Sequence, residues 1–189
     1  METLRTFVAI DVNIETELDS KWKELKILLQ NDTIKWVDEK SLHLTLFFLG
    51  ETSVDIVEQI SFKLETELQK VTPFKIFLQG FGTFGKNNVP KVIWAGISKS
   101  EQLIGLKNLV AGIISGYGFE EQHGIFSPHF TLGRVKQMRK NTEFENFIRR
   151  YELTEFQETI VDKVIFYQSV LTPKGPIYRP LKIIKLLSL

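Results

Sequence analysis

The chain has 189 residues, 43% of them apolar, with 24 basic and 23 acidic side chains and a net charge of +1. That length can bury a sizeable core without covalent staples, and that charge balance excludes a strongly basic non-specific nucleic-acid coat while leaving room for a local basic pocket. There is no cysteine, which excludes disulfides, thiolate zinc sites and thiol nucleophiles.

The opening METLRTFVAIDVN lacks the long apolar core of a signal peptide. No stretch approaches the roughly 18 apolar residues of a membrane span. The expectation is a cytoplasmic protein without membrane association, cofactor or obligate protein partner. RTFVAIDV, residues 5–12, is short, apolar and β-prone, and reads as a buried strand. Asn13 is placed to cap the helix predicted from Glu15 to Leu29, where Leu18, Trp22, Leu25, Leu28 and Leu29 recur at three- and four-residue spacings. IKWV (34–37) and LHLTLFFLG (42–50) read as strands, and Val54 to Gln69 as a helix with Val57, Ile60, Leu64 and Leu68 on one face. FKIFLQGFGTFG (74–85) reads as a strand entering a glycine-rich loop, with turn chemistry through GKNNVPK. KVIWAGI (91–97) follows as a strand, and Leu103 to Tyr117 as a helix that Gly118 stops. HFTLGRV (129–135) is a strand, Asn141 or Thr142 starts a short helix through Arg150, and VDKVIFYQSVL (161–171) is a strand. TPKGPIY reads as a turn and Pro180 to Leu187 as the last strand.

Helices that interrupt strand pairs joined by short turns predict an α+β fold with mainly antiparallel sheets, not a doubly wound parallel one. No linker or low-complexity segment divides the chain, so residues 1–189 read as a single domain. A weak internal repeat runs strand, helix, H-x-T-L strand in the first half, and again from about residue 91 to 132.

The repeat ends in SLHLTL (41–46) and SPHFTL (127–132), which hold two of the three histidines. In a strand, residues i and i+2 share a face. His43 and Thr45 therefore point together, away from Leu42, Leu44 and Leu46, and His129 and Thr131 point away from Phe130 and Leu132. Each motif sets an imidazole and a hydroxyl side by side on a rigid element. Histidine titrates near neutral pH, so one imidazole can take a proton while another gives one. Hydroxyls donate hydrogen bonds to phosphoryl oxygens. Two such pairs are equipment for in-line attack on a phosphodiester, with donors stabilising the developing charge and no metal required.

The two H-x-T-L motifs, 86 residues apart, resemble those of the two-histidine (2H) phosphoesterase superfamily, and most closely the LigT-like RNA 2′,3′-cyclic phosphodiesterases, also called 2′-5′ RNA ligases. RTFVAI resembles the opening strand of that family, IKWVDEKSLHLTLFFLGE its first motif, SPHFTLGRVK its second, and YQSVLTPKGPIYRPL its C-terminal strand pair. The resemblance implies a bilobal fold of two antiparallel sheets with helices on their outer faces, pseudo-twofold symmetry and an active cleft between the lobes. It implies hydrolysis of RNA ends or nucleotides bearing a 2′,3′-cyclic phosphate to the 2′-phosphate, and the reverse 2′-5′ joining. His43 and His129 become the acid–base pair, and Thr45 and Thr131 the phosphate donors, without deciding which histidine is the base. Arg134 matches an arginine that follows the second motif in the family. Regular alternation turns it away from His129, so only a twist or bulge brings it to a phosphate. Phe47 shares the His43 face by parity, as base-stacking surface or core filling, and Tyr178 is a second candidate for base or ribose binding.

Competing readings are weaker. No H-x-x-E-H, H-E-x-x-H or H-x-D pattern supports a metal site, and His123 sits in polar EEQHG as a solvated residue. No G-x-S-x-G elbow supports a serine nucleophile. GFGTFG (80–85) leads into NNVP and a strand, not a helix, and reads as a hairpin turn rather than a phosphate loop. A non-catalytic RNA-binding module could stack bases on Phe7, Phe47, Trp94, Tyr167 and Tyr178, yet gives no reason for two H-x-T pairs. A phosphoesterase acting on another cyclic nucleotide or a 2′-5′ oligonucleotide fits the same residues.

Overall fold

The structure is a computed structural model that describes residues 2–86, 89–121, 126–140, 142–173 and 175–187. Thr3–Asp11 forms β1, Thr16–Leu28 forms α1 and Thr33–Trp36 forms β2. His43–Ser53 is β3, Val54–Leu68 is α2, Phe74–Lys86 is β4 and Val89–Ile97 is β5. Glu101–Ser115 is α3, His129–Gln137 is β6, Thr142–Tyr151 is α4, Glu155–Val161 is β7, Lys163–Thr172 is β8 and Gly175–Lys185 is β9.

The helical periods hold because each apolar stripe finds the sheet. Leu18, Trp22 and Leu25 of α1, and Ile60, Leu64 and Leu68 of α2, are at most 1% exposed. Burying each such side chain stabilises the fold by about 1.5–3 kcal/mol. The cap expected at Asn13 is absent. Glu15 is the N-cap residue and makes no side-chain cap bond, and its N–H donates instead to Gln157 Oε1 at 2.7 Å.

The strands form one antiparallel sheet in the order β7-β4-β5-β6-β3-β1-β8-β9, with β2 paired to β6. The expected pair of sheets is thus a pair of half-sheets within one curled sheet. They join where β3 meets β6 through the single pair Leu44↔Phe130, both at most 2% exposed. Beyond that pair, β2 takes the place of β3 along the β6 edge, from Gly133 to Gln137. β1 pairs with β3 and β5 with β6, one helix-containing connection apart in each case, so the weak repeat is a structural pseudo-symmetry about the seam.

Three local expectations change. GFGTFG is strand, not loop or turn: β4 continues to Lys86 with a register shift at Gly80, where φ is +72°. The turn expected at Asn87 and Asn88 lies outside the described residues, as do Asn141, Lys174 and His123. Most of TPKGPIY is also strand, because β9 begins at Gly175. Finally, β7 falls in EFQETIV, a segment too polar to show an apolar run. It pairs with β4 at the sheet edge.

Candidate active site

The seam puts the two motifs beside each other. Antiparallel register about Leu44↔Phe130 sets His43 across from Thr131 and Thr45 across from His129. The Leu44, Leu46, Phe130 and Leu132 side chains enter the main core under the helices. His43, Thr45, His129 and Thr131 are half-buried on the other face. The four side chains that the alternation paired two by two therefore form one group, and neither threonine hydroxyl is hydrogen-bonded to another described residue.

Each imidazole is tied the same way. His43 Nδ1 lies 2.8 Å from the Ser41 carbonyl and His129 Nδ1 lies 2.7 Å from the Ser127 carbonyl. A carbonyl only accepts, so Nδ1 carries the proton in both rings and Nε2 is the atom left to take or give one. Aromatic rings brace both. Phe7 lies 5.0 Å from the His43 ring and Tyr178 meets it edge-on at 4.9 Å. Phe84 meets His129 edge-on at 4.7 Å, and Trp94 lies 6.3 Å from it.

Burial, first of all, holds both imidazoles below the ordinary histidine range, because the charged form loses its water. Arg134 pushes both further down, and His129 does the same to His43. The environments also differ in a carboxylate. Asp11 faces His43 across the β1–β3 pair and pulls it upward, whereas no carboxylate among the described residues acts on His129. Tyr167 donates a hydrogen bond to Asp11 Oδ1 at 2.5 Å and fixes it there. Burial and that carboxylate together raise the Tyr167 phenol well above its usual range, so it remains a donor.

Arg134 belongs to this group because β6 bulges. Ile93 pairs with Gly133 and Trp94 with Thr131, which leaves Leu132 without a partner on β5. Before the bulge the even residues Phe130 and Leu132 are buried, and after it Val135 is. The extra residue reverses the alternation and turns exposed Arg134 onto the His129 face, where its charge also acts on Tyr178.

A similar bulge removes Phe47 from it. Val8 pairs with Phe47 but Ala9 with Thr45, so Leu46 has no partner on β1. Phe47 is 3% exposed within the main core and offers no face for a base, which corrects the parity expectation. Phe48 takes its place on the other face, packed near Phe7 with the Arg5 guanidinium 4.9 Å from its ring centre. Phe7 and Tyr167 are buried too, so of the five aromatics considered for stacking only Trp94 and Tyr178 keep partial exposure. Asp11 escaped the sequence reading, although β1 alternation through Phe7, Ala9 and Asp11 was a signal for it.

A sequence model described as LigT-like phosphoesterase matches residues 8–94. An Archaeoglobus fulgidus protein is 37% identical over 186 residues, which span 95% of this chain and 99% of that one. A Thermotoga maritima protein is 35% identical over 180 residues, 94% and 93% of the two chains. The chain belongs to the LigT-like phosphoesterases. Both relatives are named RNA 2′,3′-cyclic phosphodiesterase. The LigT-like fold is equally plain in three dimensions. A solved Thermus thermophilus structure superposes with a TM-score of 0.76 at 25% identity, covering 96% of this chain and 97% of its own. Escherichia coli LigT does so at 23% identity, also with a TM-score of 0.76. Among the described residues of this LigT-like chain, no cluster of three or more His, Cys, Asp or Glu side chains is arranged to hold a metal ion, and no helix is long and apolar enough to cross a membrane.

Proposed function

We propose that the protein is an RNA 2′,3′-cyclic phosphodiesterase that opens the cyclic phosphate at an RNA or nucleotide end to a 2′-phosphate, with residues 1–189 acting as one catalytic domain. The observation that carries this reading is the seam itself: two imidazoles, each with Nδ1 committed to a carbonyl, flanked by two uncommitted threonine hydroxyls. The names and near full-length match of the relatives supply the substrate class.

In this mechanism Thr45, Thr131 and Arg134 bind the non-bridging phosphoryl oxygens and stabilise the charge that builds at phosphorus. One Nε2 takes a proton from the attacking water while the P–O3′ bond breaks, and the other Nε2 protonates O3′. The phosphate stays on O2′. Asp11 stands opposite His43 and favours its charged form, which supports His43 as the acid and His129 as the base in this direction. In 2′-5′ joining a 5′-hydroxyl takes the place of water, the same histidine takes its proton and O3′ again leaves protonated; the roles exchange only in the reverse step, when O3′ attacks the 2′-5′ bond, expels the 5′-hydroxyl and re-forms the cyclic phosphate. The donors that the chain itself provides make the step independent of metal. Tyr178, edge-on to His43, flanks the terminal ribose or base.

The test is a cyclic-phosphate-ended oligoribonucleotide incubated in EDTA, with the product isomer identified by 31P NMR. The expected product is the 2′-phosphate at an undiminished rate. A 3′-phosphate, or activity abolished by the chelator, overturns the mechanism. A protein that binds this RNA and leaves it intact is a binding module instead.

A further inference from the structure

β1 carries a cation that the proposed mechanism leaves unused. Alternation along Thr3–Asp11 sets Arg5, Phe7, Ala9 and Asp11 on one face. On that face Asp11 meets His43 and Phe7 packs 5.0 Å from the His43 ring. The Arg5 guanidinium is half-buried over the Phe48 ring, 4.9 Å from its centre, a cation–π contact that fixes where the group sits. It has no ionic partner among the described residues. Glu51 stands opposite it across the β1–β3 pair but accepts the Thr3 hydroxyl bond at 3.1 Å instead. The Arg5 Nε is buried without a partner, while the terminal nitrogens are neither buried nor bonded to another described residue. Holding a guanidinium in this state costs desolvation, and an anion at its open edge offsets that cost.

Tyr178 connects this cation to the reacting end. Thr6 pairs with Gln168 across β1–β8, and Ser169 with Tyr178 across β8–β9, so Arg5, Ser169 and Tyr178 fall in one row on the His43 face. The Tyr178 ring meets His43 edge-on at 4.9 Å and Phe7 edge-on at 5.1 Å. The Arg5 charge acts on Tyr178 but is not among those that act on either histidine, whereas Arg134 acts on all three. Arg134 therefore stands at the reacting centre, Phe7 and Tyr178 come next, and Arg5 lies beyond them. On β1 it is two residues past Phe7, about 7 Å of strand.

The substrate has its parts in the same order. A 2′,3′-cyclic phosphate is fused to the terminal ribose, and the only other phosphate that this ribose can carry is on O5′. We infer that Arg5 binds the phosphate on O5′ of the terminal nucleoside, the first phosphodiester of the RNA chain. The inference rests on the proposed activity for its ligand. A guanidinium presents its N–H donors as a fork that matches two phosphate oxygens. A phosphate contact positions the nucleotide and carries no information about the base. Arg5 thus makes an RNA end, or a nucleotide phosphorylated on O5′, a better substrate than a nucleoside 2′,3′-cyclic phosphate whose 5′-hydroxyl is free.

Two measurements on the full chain, in wild type and R5Q, test it. The first is kcat/KM for 2′,3′-cyclic AMP, for its 5′-phosphorylated form, and for the dinucleotide ApA ending in a cyclic phosphate. The advantage of the second and third substrates over the first is a ratio within one protein, so a smaller folded fraction in R5Q does not alter it. In wild type that advantage is expected to be roughly tenfold or more, the usual worth of a hydrogen bond to a charged group, and in R5Q it is expected to be lost. No advantage in wild type, or the same advantage in R5Q, overturns the inference. The second is calorimetric binding of adenosine 2′,5′-bisphosphate against adenosine 2′-phosphate, with the same ratio expected to collapse in R5Q. An equal preference for the bisphosphate in both proteins overturns the Arg5 site, whatever the turnover. A preference that depends on Arg5, in a protein that opens none of the three substrates, overturns the proposed activity and leaves the Arg5 site standing.

Discussion

His43 and His129 are alike in their tie to a carbonyl two residues back and unlike in their surroundings. Both neutral forms are favoured by burial, so in the free enzyme the state with one proton on the pair is most populated on the acid side of the ordinary histidine value of 6.5. The pH profile of kcat/KM, which reports the free enzyme, is expected to be a bell centred below that value. Bound anionic phosphate favours imidazolium, so the kcat profile is expected to be displaced upward. Asp11 separates the two sites. In D11N, NMR titration is expected to show His43 falling and His129 almost unmoved, with the alkaline limb of kcat/KM drawn down with His43. Equal movement of both histidines would remove Asp11 as the source of their difference. The His-Thr grouping was legible from alternation alone. Arg134 and Phe47 were not, because each sits past a bulge, and one extra residue reverses every face assignment beyond it.

At the scale of elements, the strands and helices with strong periods were legible and the polar edge strand β7 was not, since edge pairing asks for no apolar run. The glycines of β4 misled in the other direction. They recur in GFGTFG for close approach rather than for turning. A Cβ on Gly82 would lie 2.2 Å from the Trp94 ring, which crosses the strand there and packs on Phe84 beside His129. G82A is therefore expected to cost about 1–3 kcal/mol by overpacking, read as a lower midpoint in urea. It should also disturb His129 more than His43 in the NMR titration. An unchanged midpoint and unchanged His129 signals would mean that the ring moves aside freely.

The two halves of the sheet meet at the pair Leu44↔Phe130 over one shared core, so the site exists only when the halves are joined. A composition-level view shows near-neutral charge and an α+β domain. It does not show the single seam, which depends on which strands become neighbours. Two half-buried histidines also link stability to pH. Their folded-state values are lowered, so below about 6.5 the unfolded chain binds more protons than the native one. Stability is expected to hold level above that pH and decline as pH falls through and below it. Tm measured from pH 8 to 5 should drop less steeply in H43Q, which cannot take up that proton. The most direct test of the two-histidine mechanism is the rate at which folded H43A and H129A open a cyclic-phosphate-ended oligoribonucleotide. The expected loss is roughly 10²–10⁴-fold for each, the usual worth of one general acid or base, with the fold intact by circular dichroism. Near-wild-type turnover by either folded variant would contradict it.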